Sequence, residues 1–418
     1  MKSTIKFVLL LTALLIAAPA FTQKVNKKVQ HHSVSGNRIL PQGGVFNESV
    51  WMVDSVTGRP VLRLTQNRDF NVVPTYHLNA CFSADSRYIV FSTSSAGHGS
   101  AIIHADITNG DCRVIAHTEE RAKPISICIV PRSDYVASSS RGVITVYNLK
   151  TLDQRVLYKA PQGESCSAAA ASMDGSKIYV CQLPGNPQNP HYYRMSVIEI
   201  EIATGRSKVI FSDTSRGKHV IPNPVYPELL LIDRDFPSRQ KSYTGLLHTR
   251  SWIFNIKNGS LTEIRSNNPN RFYYHTNWSY DGKYVYYHGV AKNTNNHKKN
   301  TNAHYIGVAD LDGKVVWEST FPYFYYGHMC SHTQKHALFT DGLLFPNLIT
   351  ELDWSRIDTH NTPSIVIYGA HNSGSHQFGQ HAHPHCHMSP DAQKIAYNKG
   401  SEKRSDVYIL FTDQAVKR

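Results

Sequence analysis

Seven segments of this chain repeat one pattern, an acceptor-rich tight turn followed by a short apolar run. They begin at Cys81, Ile129, Ala170, Asn223, Asn277, Ser331 and His387, so successive starts lie 48, 41, 53, 54, 54 and 56 residues apart. Nothing else in the sequence restricts the fold so strongly. Strand-turn-strand units at this period cannot bury a face alone, and they stack as radial blades that close into a ring. The expected fold is all-β: a single seven-bladed β-propeller of four-stranded antiparallel blades. In each unit a first strand leads into an S-x-D-G-like turn, and a β-branched or aromatic second strand follows, as in Tyr88-Ile89-Val90-Phe91 or Tyr284-Val285-Tyr286-Tyr287. A third strand ends at a turn such as Thr204-Gly205, Asn258-Gly259 or Asp312-Gly313, and a fourth completes the blade.

The two ends of the chain fit this scheme together. Residues 51–65 read as the latter half of a blade with no first half before it, and the seventh unit runs out near Phe411 before its fourth strand. An N-terminal strand that completes the last blade would close the ring and remove the exposed edge. The expected boundaries are 1–20 for a signal peptide, 21–45 for a polar flexible segment and 46–418 for the propeller. The signal peptide is read from Lys2 and Lys6, the apolar run Phe7 to Ala17 and the small-residue site Ala18-Pro19-Ala20. No Cys follows the apolar run and no other segment approaches a membrane span, so a monomeric, secreted or periplasmic protein is expected. Seven cysteines leave at least one unpaired and do not cluster as a disulfide framework would. Most read as buried core thiols. The 44 Lys and Arg outnumber 31 Asp and Glu, for a net charge of +13. In an exported protein that balance argues against nucleic acid and for an anionic polysaccharide as partner.

In a propeller all first strands begin on one face, where the loops after the second strands also converge. On that face the sequence places His77, His219, His275, His328, His383 and His385 before first strands, and His98, Arg141, Arg234 and His288 after second strands. Five of seven first strands open on His, which points to a metal or catalytic centre near the axis; hydrogen-bonded channel-lining histidines are the plain alternative. Residues i and i+2 of a strand share a face, so Cys330-x-His332 and His383-x-His385 can each grip one ion. With His275 they give the expected ligand set His275, Cys330, His332, His383 and His385. A thiolate favours zinc, here as a structural ion, whereas Gln and His alone suit manganese or calcium better. His77 and His98 reach the rim of one blade together and can divide base and acid work near neutral pH. Tyr193 opens a third strand on the same face and Arg216 precedes a first strand; they offer a proton relay and a two-bond partner for a carboxylate. His219, Arg234 and Asn79 are expected to contact substrate.

Two families of propeller polysaccharide lyase resemble this pattern. Gln380-x-x-His383-Pro384-His385, with His275-x-x-Trp278 upstream, is similar to the metal site of the oligogalacturonate lyases, where one Gln and three His hold a divalent cation. That family carries a catalytic Arg before a Pro in blade four, where this chain has Asn223-Pro224. The 21-residue spacing of His77 and His98, with Cys330-x-His332, resembles the ulvan lyases, which pair two His with a Tyr and an Arg and keep a structural zinc. The ulvan-like resemblance is the closer of the two. It implies β-elimination on a uronate polysaccharide of the rhamnose-glucuronate type, with Arg216 on the carboxylate, His77 and His98 sharing neutralisation and base work, and Tyr193 as base or acid. A non-enzymatic carbohydrate-binding propeller would explain the repeat equally well but not the His-rich face. A hydrolase would need paired carboxylates near the axis, and Asp233 with Asp235 is the one close pair there.

Overall fold

The recurring Ser-x-Asp turn folds through its own side chains. In four blades the Ser Oγ donates to the Asp two residues on, at 2.5 Å for Ser83–Asp85, Ser172–Asp174 and Ser389–Asp391 and 2.7 Å for Ser279–Asp281. The same Oγ accepts the backbone N–H five residues on, at 2.9–3.0 Å from Tyr88, Lys177, Tyr284 and Lys394. Side-chain bonds of this kind offer the backbone a ready-made reversal, and the apolar run after it becomes the second strand. The computed structural model describes residues 40–66, 70–73, 80–95, 99–118, 126–186, 188, 194–234, 250–264, 271–291, 304–321, 327–357, 362–371, 373 and 382–413.

Seven antiparallel blades follow one another around the axis. Blades two, four, five and six are four-stranded sheets in simple sequence order, such as Arg271–Trp278, Tyr284–Ala291, His304–Asp310 and Val315–Phe321 in blade five. Blade three splits its innermost strand into Glu164–Cys166 and Ala170–Ala171, both paired with Lys177–Pro184. Blades seven and one share a sheet through a single parallel bridge between Ser405 and Phe70. The ring closes as the sequence requires. Pro60–Arg63 pairs antiparallel with Ser405–Phe411 as the fourth strand of blade seven, in register Val61↔Leu410 and Arg63↔Tyr408. Val50–Val53 adds a fifth strand outside it.

The core is divided among the blades. Seven clusters of buried side chains each span a neighbouring pair, from Ile127, Ile129 and Tyr147 against Val90, Ile102 and Ile115 between blades one and two to Leu62, Leu64, Ala396 and Ile409 at the closure. The apolar residues of the second strands pack alternately on one neighbour and the other, which explains why these strands read as nearly continuous apolar runs. The segment expected to be flexible up to residue 45 is held against blade one from residue 40 onward. Gly43 N bonds the Val114 carbonyl at 2.8 Å, and Gln42 Nε2 reaches the carbonyls of Ile115 and Leu152 at 3.0 and 2.7 Å. All seven cysteines are free thiols, six of them buried. Among the described residues no helix is long and apolar enough to cross a membrane.

Candidate metal and catalytic centre

The inner strands of blades six and seven, Met329–Ser331 and His387–Met388, are each entered from the axial face, and that entry is where imidazoles converge. His328, His383 and His385 bring one ring nitrogen each to within 4.8 Å of the others, and all three side chains are buried. The His328 ring lies 4.3 Å from His385 and 5.1 Å from His383. Burial, then the neighbouring His328 and His383, pushes the His385 pKa well below its ordinary value. A neutral imidazole is the form that ligates a metal, so the donor set suits a cation.

One carboxylate organises this entry. Asp341, 1% exposed, accepts the backbone N–H of His328 on Oδ1 and that of His385 on Oδ2, the latter at 2.8 Å. Its Oδ2 also lies 3.4 Å from His328 Nδ1. Burial opposes ionisation of Asp341, but the charge of His328 and these hydrogen bonds outweigh it and hold the carboxyl well below the usual range. His385 takes φ +46°, a left-handed conformation unusual for a side chain with a Cβ. Such backbone costs on the order of 1–3 kcal/mol and persists only where its surroundings enforce it; here Asp341 grips the His385 N–H and Asn398 N holds the Pro384 carbonyl at 2.7 Å.

The expected five-ligand set is therefore rearranged. His383 and His385 meet His328, and His275 stands beside them with its ring 5.0 Å from that of His328. Cys330 and His332 are not in the group. A strand advances about 3.3 Å per residue, so His332 sits roughly 13 Å down the strand from His328, beside the turn at the opposite face. There its ring stacks on Phe339 at 5.8 Å, its Nδ1 accepts Gln334 N at 3.0 Å, and burial, then Lys335, lowers its pKa to about 4. Cys330 packs among Phe339, Ile349, Cys386 and Met388, where burial and then Asp341 push its thiol pKa up. The mixed thiolate–imidazole centre that would select zinc is not assembled among the described residues.

A second set of polar residues lines blade four. Asp233, at the end of Leu229–Asp233, receives Arg250 Nη2 at 2.8 Å and lies 3.8 Å from His219 Nε2. Arg234 pairs with Asp213 at 2.6 Å and lies over the Trp252 ring at 4.4 Å, while Arg216 Nη1 donates to the Pro184 carbonyl at 3.2 Å. Arg250 was not singled out from the sequence. Its signal was available, because third strands also begin on the axial face and Arg250 immediately precedes Ser251–Asn255. The Ser251 hydroxyl bonds that of Thr276 at 3.4 Å across the junction of blades four and five, and the Arg250 charge helps to lower the pKa of His288, which lies 2.8 Å from His275. His77, Asn79, His98, Tyr193 and Asp235, with Gln380, lie outside the described residues.

No family model matches this chain, and no curated protein does. Its fold matches solved structures. An oligogalacturonate lyase in complex with manganese superposes with a TM-score of 0.72 at 16% identity, covering 91% of this chain and 100% of that one. An oligogalacturonate lyase from Vibrio parahaemolyticus gives 0.71 at 18%, covering 89% and 99%. A Kuenenia stuttgartiensis hydrazine synthase gives 0.55 at 14%, covering 80% and 95%. At these identities the likeness establishes the propeller fold.

Proposed function

We propose that this protein is an exported lyase that cleaves an acidic, uronate-containing oligosaccharide or polysaccharide by β-elimination, of the oligogalacturonate type rather than the ulvan type. The observation that carries this reading is the buried His328, His383 and His385 group beside His275, on a propeller of which 91% and 89% superpose on two oligogalacturonate lyases, one of them a manganese complex. The ulvan-like reading rested on the spacing of His77 and His98, which lie outside the described residues, and on a Cys330–His332 zinc site, whose thiol packs in the core instead. A net charge of +13 suits a polyanionic substrate.

β-Elimination breaks the C5–H and C4–O bonds of a uronate and forms the C4=C5 double bond, with one proton taken from C5 and one delivered to the departing oxygen. His328, His383 and His385 would hold a divalent cation, manganese being the better-supported candidate and zinc or calcium the alternatives. Such an ion neutralises a carboxylate and so acidifies the adjacent C–H. Arg250, fixed by Asp233, brings a permanent positive charge to the same mouth. His275, whose ring lies 5.0 Å from that of His328, is assigned the C5 proton. Tyr193 keeps its expected part as base or acid and is assigned the proton for the departing oxygen; His77 and His98, expected to share neutralisation and base work, assist there, Arg216 keeps the carboxylate, and His219, Arg234 and Asn79 keep their expected contacts with substrate.

The test is absorbance of the unsaturated uronate after mixing metal-free protein with oligogalacturonate or ulvan, with and without added Mn²⁺. A cation-dependent rise on oligogalacturonate supports the reading. A rise on ulvan alone returns the substrate to the rhamnose-glucuronate class. Tight glycan binding with no rise on either replaces the enzyme by a binding module.

A further inference from the structure

The outermost strand of a blade presents a row of unpaired backbone groups, a template for pairing unless something blunts it. Blades two to five blunt theirs with charge: Arg155 and Lys159, Lys208, Glu263 and Glu318 lie in their outermost strands. Blade one ends in the two-residue strand Val45–Phe46, too short to pair far. Blade six ends in the uncharged strand Ser364–Ala370, and the turn that follows Val50–Val53 covers it. Asp54 Oδ2 accepts the Ala370 N–H at 2.8 Å, while Thr57 Oγ1 and Arg59 Nη1 donate to the carbonyls of Tyr368 and Ile367, each at 2.9 Å. Among the described residues blade seven has none of these devices. Its fifth strand, Val50-Trp51-Met52-Val53, carries no charge and no proline, and its four side chains are 43–59% exposed.

The register decides which backbone groups are free. Asp54 N–H bonds the Arg59 carbonyl, and Leu64 N–H bonds that of Val407, both at 2.8 Å. Hydrogen-bonded and non-hydrogen-bonded pairs alternate along an antiparallel ladder. Val50 and Met52 therefore turn their backbone groups inward to Arg63 and Val61, whereas Trp51 and Val53, opposite Leu62 and Pro60, turn theirs outward. Among the described residues nothing bonds these four outward groups. Their spacing is self-complementary. About a two-fold axis at Met52, Trp51 exchanges both bonds with Val53 of a second copy, and Val53 with its Trp51. An axis at Trp51 would need the Ser49 N–H, which already bonds Asn47 Oδ1 at 3.0 Å. An axis at Val53 would need Ser55, which lies in the turn beyond the strand.

We propose that two copies of this chain pair through Val50–Val53, antiparallel about a two-fold axis at Met52, and join their seventh blades into one sheet. On one face Trp51 lies beside Val53 of the second copy, and on the other Met52 meets Met52. Four half-exposed side chains and one backbone edge offer roughly 400 Å² per copy, about half of what each side of a standard interface buries. The dimer is therefore weak and depends on concentration, in place of the expected monomer. No charge lies in the paired strands, but each copy carries +13 overall. That repulsion weakens the pair at low ionic strength, and added salt strengthens it. An antiparallel pair reverses the strand direction, so the two axial mouths open in opposite directions and both stay accessible.

Sedimentation velocity of the full chain, from low micromolar to near-millimolar concentration, tests the pairing. The wild type should move from monomer towards dimer as concentration rises, and further at high salt. Met52→Lys, which sets two like charges face to face on the axis, should stay monomeric with an unchanged melting temperature. Disulfide trapping tests the register. Residues opposite each other in a non-hydrogen-bonded pair have Cα atoms about 4.5 Å apart, within disulfide reach. Cys166→Ser first removes the one native thiol that is not buried. In that background, Met52→Cys oxidised with copper–phenanthroline should cross-link into a dimer. Val50→Cys should not, since the two copies of residue 50 stand roughly 13 Å apart along the strands. A monomer at every concentration, with no cross-link from Met52→Cys, overturns the proposal. A dimer that survives Met52→Lys, or a cross-link from Val50→Cys in place of Met52→Cys, overturns it too, by placing the contact elsewhere or in another register. A chain that stays monomeric while its Trp51 emission responds to an added strand-forming peptide of unrelated sequence would give the edge to a foreign partner, and the dimer would again be refuted.

Discussion

The two ends of the inner strands solve the same problem in opposite ways. At the turn face, blades one, three, five and seven use one local device, a Ser and an Asp two apart that satisfy the backbone within six residues. At the axial face no device recurs. Polar groups there are satisfied by other blades: Asp341 of blade six holds the His385 N–H of blade seven, Ser251 of blade four meets Thr276 of blade five, and the His275 ring of blade five abuts His328 of blade six. Local satisfaction lets each blade fold as a copy. Long-range satisfaction lets the blades differ and still fit, and that freedom is where a site can be built.

The strongest way to break this contrast is to remove one converging imidazole. His383→Ala should abolish measurable Mn²⁺ binding, a loss greater than the roughly 10–100-fold typical of outer partners. Metal-free far-UV spectra should stay those of the wild type, because blade seven is held by its own turn and by Pro60–Arg63. Retained Mn²⁺ affinity would remove the centre from this end of the strands. The same isotherm on Cys330→Ser should match the wild type, since that thiol lies in the apolar cluster between blades six and seven.

How much of this was legible depended on range. The propeller, its blade count and its closure by residues 60–63 were readable because the Ser-x-Asp turn and the apolar run after it act within a dozen residues, and seven copies reinforce one another. The location of the site was readable too, since strand direction alone gathers the histidines on one face. Its membership was not. Cys330-x-His332 has the better ligand spacing on paper, yet the strand carries His332 away from the mouth, while His328, one residue before the strand, stays in it. What selects His328 is Asp341 thirteen residues on and His383 fifty-five residues on, brought together by ring closure. Arg250 was hidden for the same reason: its significance comes from the buried imidazoles of the next blade, where its charge helps to lower the pKa of His288.

A single buried histidine sharpens the comparison by an intermediate amount. His104, near the turn-face end of Gly99–Asp106, stacks on Tyr88 at 4.8 Å, and burial, then Arg113, lowers its pKa from 6.5 to about 4. The unfolded chain binds this proton below pH 6.5 and the folded protein does not until about pH 4. Its contribution to stability is therefore complete above pH 6.5 and declines as the pH falls towards 4. The loss across that window should be on the order of 3 kcal/mol. Chemical unfolding of His104→Gln between those limits should show a shallower acid decline than the wild type and unaltered Mn²⁺ affinity. An equal decline in both proteins would mean that other histidines account for the whole acid limb.

The smallest effect tests whether the turn face is a set of equivalents. Ser279→Ala removes an oxygen that donates to Asp281 at 2.7 Å and accepts Tyr284 N at 3.0 Å, at a position with no exposed surface. Leaving one backbone donor without its acceptor costs about 1–2 kcal/mol, which in a chain of this size lowers the melting temperature by about 2 °C or slightly more. Ser172→Ala and Ser389→Ala, with the same two bonds, should fall by the same amount. None should alter Mn²⁺ affinity, because the inner strand stands between the turn and the axial mouth. Equal drops with an unmoved affinity would show that the repeat carries stability and the mouth carries chemistry. If the blade-seven substitution alone weakened the cation, the strain held at His385 would have to be sustained through the whole length of that blade, and the two ends could no longer be treated as independent.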